Sequence, residues 1–136
     1  MNQNETKDLQ MKENTAAETK EQYLDGEMFA NMVRGGAAQL RSNAEEVNNL
    51  NVFPVPDGDT GDNMRMTIES GVAALQNVNS DNLAEVISTF SHGMLLGARG
   101  NSGVILSQFF KGMQLELSRS VVAGPGELRN ALIRGY

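Results

Sequence analysis

Three aspartates, Asp57, Asp59 and Asp62, fall within six residues in the segment Asn51-Val52-Phe53-Pro54-Val55-Pro56-Asp57-Gly58-Asp59-Thr60-Gly61-Asp62-Asn63-Met64. Carboxylates so close repel one another in water, and the arrangement makes most sense around a hard cation such as Mg²⁺ or Ca²⁺. Pro54 and Pro56 fix their own φ and push Phe53 and Val55 out of the helical region, so the chain reaches Asp57 stiff and extended. Gly58 and Gly61 then permit tight turns. Taken alone, the segment also reads as a turn followed by an Asp-rich helix start. An EF-hand is excluded by counting from Asp57: its sixth position requires Gly and is Asp62, and its twelfth requires Glu and is Ile68.

A second segment, Gly97-Ala98-Arg99-Gly100-Asn101-Ser102-Gly103, leads directly into Val104-Ile105-Leu106. Gly100 and Gly103 let backbone N–H groups approach a ligand, Ser102 supplies a hydroxyl, and a helix start is a ready anion site. Arg99 adds a permanent charge whose planar fork matches phosphate or carboxylate oxygens. Its ordinary alternative is a Gly-terminated helix followed by a Ser-capped one. Neither Gly-x-x-x-x-Gly-Lys-Ser/Thr nor Gly-x-Gly-x-x-Gly occurs, so a P-loop and a dinucleotide fold are both excluded.

The elements that must carry these segments read as helices. From Leu24, apolar residues recur every four positions (Leu24, Met28, Met32, Gly36, Leu40, Ala44), with Phe29, Val33 and Ala37 beside them. A second helix follows Asp62, which sits in its first turn, and carries Met64, Ile68, Val72 and Leu75. Ser80 or Asp81 is the expected cap of a third, with Leu83, Val86, Ile87, Phe90 and Met94 up to Gly97. Leu106, Phe109, Phe110, Met113 and Leu117 mark a fourth, and residues 127–134 begin a fifth after Gly124-Pro125-Gly126. Strict alternation is absent, only residues 52–55 being β-like, so the fold expected is an all-α antiparallel helical bundle. Stripes of Met and Phe at this spacing are read as core.

Helices two and three then form a hairpin between Asp62 and Gly97, which brings the acidic segment and the Gly-Ser segment to one end of the bundle. Carboxylates holding Mg²⁺ opposite backbone amides, a Ser and an Arg would suit a nucleotide polyphosphate, with phosphoryl transfer as the reaction.

Composition narrows the alternatives. At roughly 100–200 residues per domain, 136 residues allow one domain or a piece of one. A net charge of −6 leaves no basic footprint for nucleic acid. With no cysteine, thiolate metal sites and thiol nucleophiles are excluded, and His92 is the lone imidazole. Apolar runs stay far below the roughly 18 residues of a membrane span. Residues 1–22 are polar, lack the pattern of a signal peptide and are expected to be a disordered leader to a domain over 23–136, in a cytoplasmic protein.

Residues 51–64 and Gly97-Ala98-Arg99-Gly100-Asn101-Ser102-Gly103-Val104-Ile105-Leu106-Ser107-Gln108 resemble the two signature loops of the DhaL or DAK2 nucleotide-binding domain of the dihydroxyacetone (glycerone) kinase family, closest to its fatty acid kinase branch. The resemblance runs from about Leu24 to Tyr136. It implies an all-α barrel with ATP or ADP at one end and two Mg²⁺ ions between acidic residues and the phosphates. Carried over by position, Asp57 and Asp59 are metal ligands and Asn51 takes the place of a third family aspartate. Asp62, where the family has Thr, is either a further metal ligand or a charge that weakens nucleotide binding. Thr60, Gly61, Asn63, Met64, Arg99, Gly100, Asn101, Ser102 and Gly103 would line the nucleotide. No residue is an evident nucleophile or base, matching a family in which a separate subunit presents dihydroxyacetone or a fatty acid carboxylate. By the same resemblance the chain is expected to carry the N-terminal part of the family domain, without its later helices. A partial barrel leaves apolar helix faces exposed, which predicts homodimerisation or low stability.

Overall fold

The computed structural model describes residues 23–50 and 59–136. The expected leader, the β-like residues 52–55 and the candidate ligands Asn51 and Asp57 lie outside the described residues. Within them are five α-helices: α1 (Gly26–Leu50), α2 (Thr60–Ala74), α3 (Leu83–Leu96), α4 (Gly100–Glu116) and α5 (Pro125–Gly135). The extended pairing among the described residues is one isolated antiparallel bridge, Leu24 with Ala123. The fold is all-α, as the helical periodicity requires.

Helix α2 is the centre of the arrangement, packing on α1, α3 and α4. Its direction relative to α1 follows from paired residues: Asn48 meets Asp62, and Arg41 meets Glu69, so α1 and α2 are antiparallel. Gly71 abuts Phe90 and Met94, while Gly97 abuts Ser70, so α3 runs antiparallel to α2 as well. The short connection after Gly97 then turns α4 back along α2. Both α2 and α4 therefore begin at the same end of the bundle.

The core joins these helices through Phe29, Phe90 and Phe110, whose rings meet edge to face at centroid distances of 5.6, 6.4 and 5.0 Å. Leu75, Leu83, Ile87, Met94 and Leu117 complete it, each almost wholly buried. Helix α1 departs from the expected stripe. Phe29, Val33, Ala37 and Ala44 face the core, whereas Met28 and Met32 are 45% and 51% exposed, and Gly36 is exposed too. The apolar arc of α1 is wider than the surface α2 and α3 offer it, and the Phe29 side of the arc is the side they cover.

Helix starts also differ from expectation. Asn82, and neither Ser80 nor Asp81, caps α3: its side-chain oxygen accepts from the Ala84 and Glu85 N–H groups. Ser80 instead accepts from the Asn82 N–H and donates to the Glu85 carboxylate, shaping the turn ahead of the cap. Helix α5 begins at Pro125, two residues earlier than expected, because a proline suits a first helical turn whose N–H groups have no intrahelical partner. Helix α1 continues past Ala44 to Leu50, since Asn48 in its last turn finds a partner on α2.

Candidate functional site

Asp59 precedes α2 as its N-cap and Arg99 precedes α4, and neither side chain caps its helix. Helix α3, capped by Asn82, shows what an internally satisfied start looks like in the same molecule. At α4 the Gly103 N–H already donates to the Arg99 carbonyl at 3.1 Å, which leaves Gly100, Asn101 and Ser102 as the amides that open the helix. No acidic side chain occupies the first turn of α4, so the positive end of its dipole is not offset there.

The two starts are held together by hydroxyls. Thr67, fully buried on α2, donates to the Asn63 carbonyl at 2.7 Å and accepts from the Arg99 N–H at 3.1 Å. Ser102 donates to the Thr60 carbonyl at 3.3 Å. Gly100 has φ +63° and lies so close to the Asn63 amide that any side chain there would collide with it. Gly103 is buried against the Thr67 hydroxyl, again with no space for a Cβ. The expected juxtaposition of the two segments is present wherever their residues are described.

The candidate residues divide by position. Asp59, Arg99, Gly100 and Asn101 are exposed at the shared end; Thr60, Asn63, Met64 and Ser102 are half-buried beside them. Among the described residues Arg99 makes no ion pair, so its fork is available to an anion. Gly61 turns inward, where it lets α2 sit directly on the Ala44 carbonyl of α1. Asp62 also faces α1: its N–H donates to Asn48 Oδ1, and its carboxylate accepts from Asn48 Nδ2, both at 3.1 Å.

Two turns further along α2, Glu69 bonds Arg41 of α1 at 2.8 Å and Arg65 at 3.1 Å. The hydrogen bond from Arg41 holds the Glu69 carboxyl below its ordinary value and raises the Arg41 guanidinium in turn.

Fit to a phosphate is good: the uncapped start of α4, a close-approach glycine and a guanidinium without an ion pair among the described residues meet at one end. For a metal the described residues supply Asp59 as an exposed carboxylate, and no group of three or more potential ligands occurs among them. Asn51 and Asp57 lie outside the described residues. A polar cleft of about 680 Å³ opens at the opposite end of α2, between Glu27, Asn31 and Arg34 of α1 and Ser80 and Asp81. It contains none of the candidate residues. His92 is exposed on α3 and is remote from both helix starts, in a crevice with Lys111 and Gln114.

Sequence reading missed two residues that organise this end. Thr67 stands four residues after Asn63, the spacing at which a helical hydroxyl reaches back to a carbonyl, and that signal was available. Asn48 offered none, since its partner is fourteen residues away across a helix boundary. Among the described residues no helix is long and apolar enough to cross a membrane.

Comparison with known proteins is consistent with this geometry. The family model described as DAK2 domain matches residues 54–136. An uncharacterized protein of Staphylococcus epidermidis is 56% identical over 89 residues, covering 65% of this chain and 16% of that protein. An uncharacterized protein of Staphylococcus saprophyticus is 53% identical over 94 residues, covering 69% of this chain and 17% of its own length. One from Staphylococcus aureus is 55% identical over 89 residues, covering 65% and 16%. The matched stretch is thus only 16–17% of the length of these curated relatives.

Proposed function

The chain belongs to the DAK2 domain family, and from that premise we propose that it binds ATP or ADP with Mg²⁺ where α2 and α4 begin. In this reading it serves an ATP-dependent kinase that transfers the γ-phosphoryl group to dihydroxyacetone or to a fatty acid carboxylate presented by a partner protein. The observation that carries the reading is the start of α4, which has no side-chain cap and no acidic residue in its first turn, held against the first turn of α2 by Thr67 bonding Arg99 and by Ser102 bonding Thr60. Such a start directs its open amide N–H groups and its dipole end at an anion.

The roles follow from the placement. Opening amides of α4 hold phosphate oxygens, while Thr60, Asn63 and Met64 border the same ligand and Ser102, its proton given to the Thr60 carbonyl, fixes the α4 start against α2. The Arg99 guanidinium neutralises charge that spreads over the equatorial oxygens during transfer. An acceptor oxygen bonds to the γ-phosphorus as the bond to the ADP oxygen breaks, a carboxylate having no proton to lose and a dihydroxyacetone hydroxyl releasing its proton to the presenting protein or to solvent, so neither helix start has to supply a nucleophile. Asp57 and Asp59, with Asn51, would hold Mg²⁺, which when bound offsets phosphate charge. Asp62, engaged with Asn48, is better suited to anchoring α2 than to the metal.

Thermal unfolding with ADP or ATP, with and without Mg²⁺, tests the reading. A ligand at 100 times its Kd adds about 2.7 kcal/mol of stability, and the shift is expected to need nucleotide and metal together. A folded sample with no shift under either condition would instead favour a non-catalytic helical module. Its association would use exposed apolar side chains such as Leu96, Ile105 and Ile133.

A further inference from the structure

We infer that Thr67 is a positioning residue that holds the start of α4 in its anion-accepting geometry, a role that rests on the nucleotide reading above. Its hydroxyl uses both capacities at once, donating to the Asn63 carbonyl at 2.7 Å and accepting from the Arg99 N–H at 3.1 Å. One side chain therefore joins the first turn of α2 to the residue that precedes α4.

The surrounding atoms leave this hydroxyl little alternative. Thr67 is fully buried, so its hydroxyl has no water to turn to in place of these two partners. Gly103 presses on the hydroxyl from α4, with no room for a Cβ between them. Gly100, next to Arg99, holds φ +63°. With the Arg99 N–H committed to Thr67, the amides left to open α4 are those of Gly100, Asn101 and Ser102. Without that bond the Arg99 N–H would compete for the same water or ligand, and the turn would lose the contact that sets its direction.

Ser107 is the internal comparison. It too is a fully buried hydroxyl, yet it donates only to the Val104 carbonyl of its own helix at 2.8 Å. Removing it perturbs packing without touching the junction of α2 and α4.

The experiment uses the full 136-residue chain in four forms: unsubstituted, Thr67→Val, Thr67→Ser and Ser107→Ala. Nucleotide affinity with Mg²⁺ is measured by titration, and the exchange rate of the Arg99 amide is measured by NMR without ligand. Thr67→Val is expected to weaken binding about tenfold, the equivalent of about 1.4 kcal/mol, and to speed Arg99 exchange. Thr67→Ser restores both, and Ser107→Ala lowers the melting temperature with affinity retained. Unchanged affinity in a folded Thr67→Val variant overturns the positioning role while leaving the nucleotide reading intact. Equal losses in Ser107→Ala would overturn it too, by showing a general packing effect. Absence of binding by the unsubstituted chain overturns the nucleotide reading and this role with it. Should Thr67→Val fail to fold, the unsubstituted chain still decides: an Arg99 amide that exchanges as freely as an open helix start refutes the bond.

Discussion

The side chain of Asn48 closes a two-point pair with Asp62, accepting its N–H and donating to its carboxylate, each at 3.1 Å. The last turn of α1 thereby caps the first turn of α2 from outside, replacing the side-chain cap that Asp59 does not provide. Hydrogen bonds to a charged group contribute about 1.5–3 kcal/mol, so Asn48→Ala is expected to lower stability by about that amount in denaturant unfolding. The increment in stability from Mg²⁺-nucleotide should survive, because Asn48 touches no proposed ligand contact. Loss of the increment with stability unchanged would return Asp62 to the ligand set.

Asp57→Asn and Asp59→Asn test the metal assignment from the other side. Each removes one negative oxygen donor, and a hard cation loses affinity with each charge removed. Both variants are expected to keep a folded melting transition and to lose the Mg²⁺-dependent part of the nucleotide shift. If both retain it in full, the two carboxylates are not the metal ligands.

How much of this was readable beforehand depended on whether the information was local. The helices, the Gly97 stop and the meeting of the two motifs follow from periodicity and from short connections, and they are found where the residues are described. Rotation of α1 was not local: Met28 and Phe29 are equally apolar, and only the surface presented by α2 and α3 decides that Phe29 enters the core. Asn82 was passed over as a cap because Ser80 and Asp81 have the same chemistry one or two residues earlier. The sorting of Gly61 and Asp62 toward α1, within a motif that reads as a single ligand loop, needed the Ala44 carbonyl and Asn48 to be in place.

Gly100→Ala should damage the site more than its size suggests. A left-handed φ costs a residue with a Cβ roughly 1–2 kcal/mol, and here the added methyl also meets the Asn63 side chain. The expected result is a lower melting temperature together with weaker nucleotide binding, whereas Gly36→Ala, at an exposed helical position with open space around it, should raise stability by up to about 1 kcal/mol. Equal effects of the two substitutions would mean that the turn before α4 is not under the constraint its geometry indicates.

The cross-helix pair Arg41–Glu69 predicts how stability depends on acid. Arg41 and Arg65 lower the folded-state pKa of Glu69 from an ordinary 4.5. A carboxyl depressed on folding contributes stability that is fully present above its unfolded value. That contribution is lost as pH falls through the folded value, where the native state also takes up the proton. Stability should therefore decline from about pH 4.5 downward in part through this group, and salt should shrink the effect because Arg41 is largely exposed. Glu69→Gln removes the titration and is expected to flatten the acid limb of a melting-temperature profile while leaving the curve near pH 7 slightly lower. An acid limb that is superimposable in the two proteins would show that the α1–α2 contact draws nothing from this ion pair and rests on its apolar packing, on Asn48 with Asp62 and on the approach of Gly61 to Ala44.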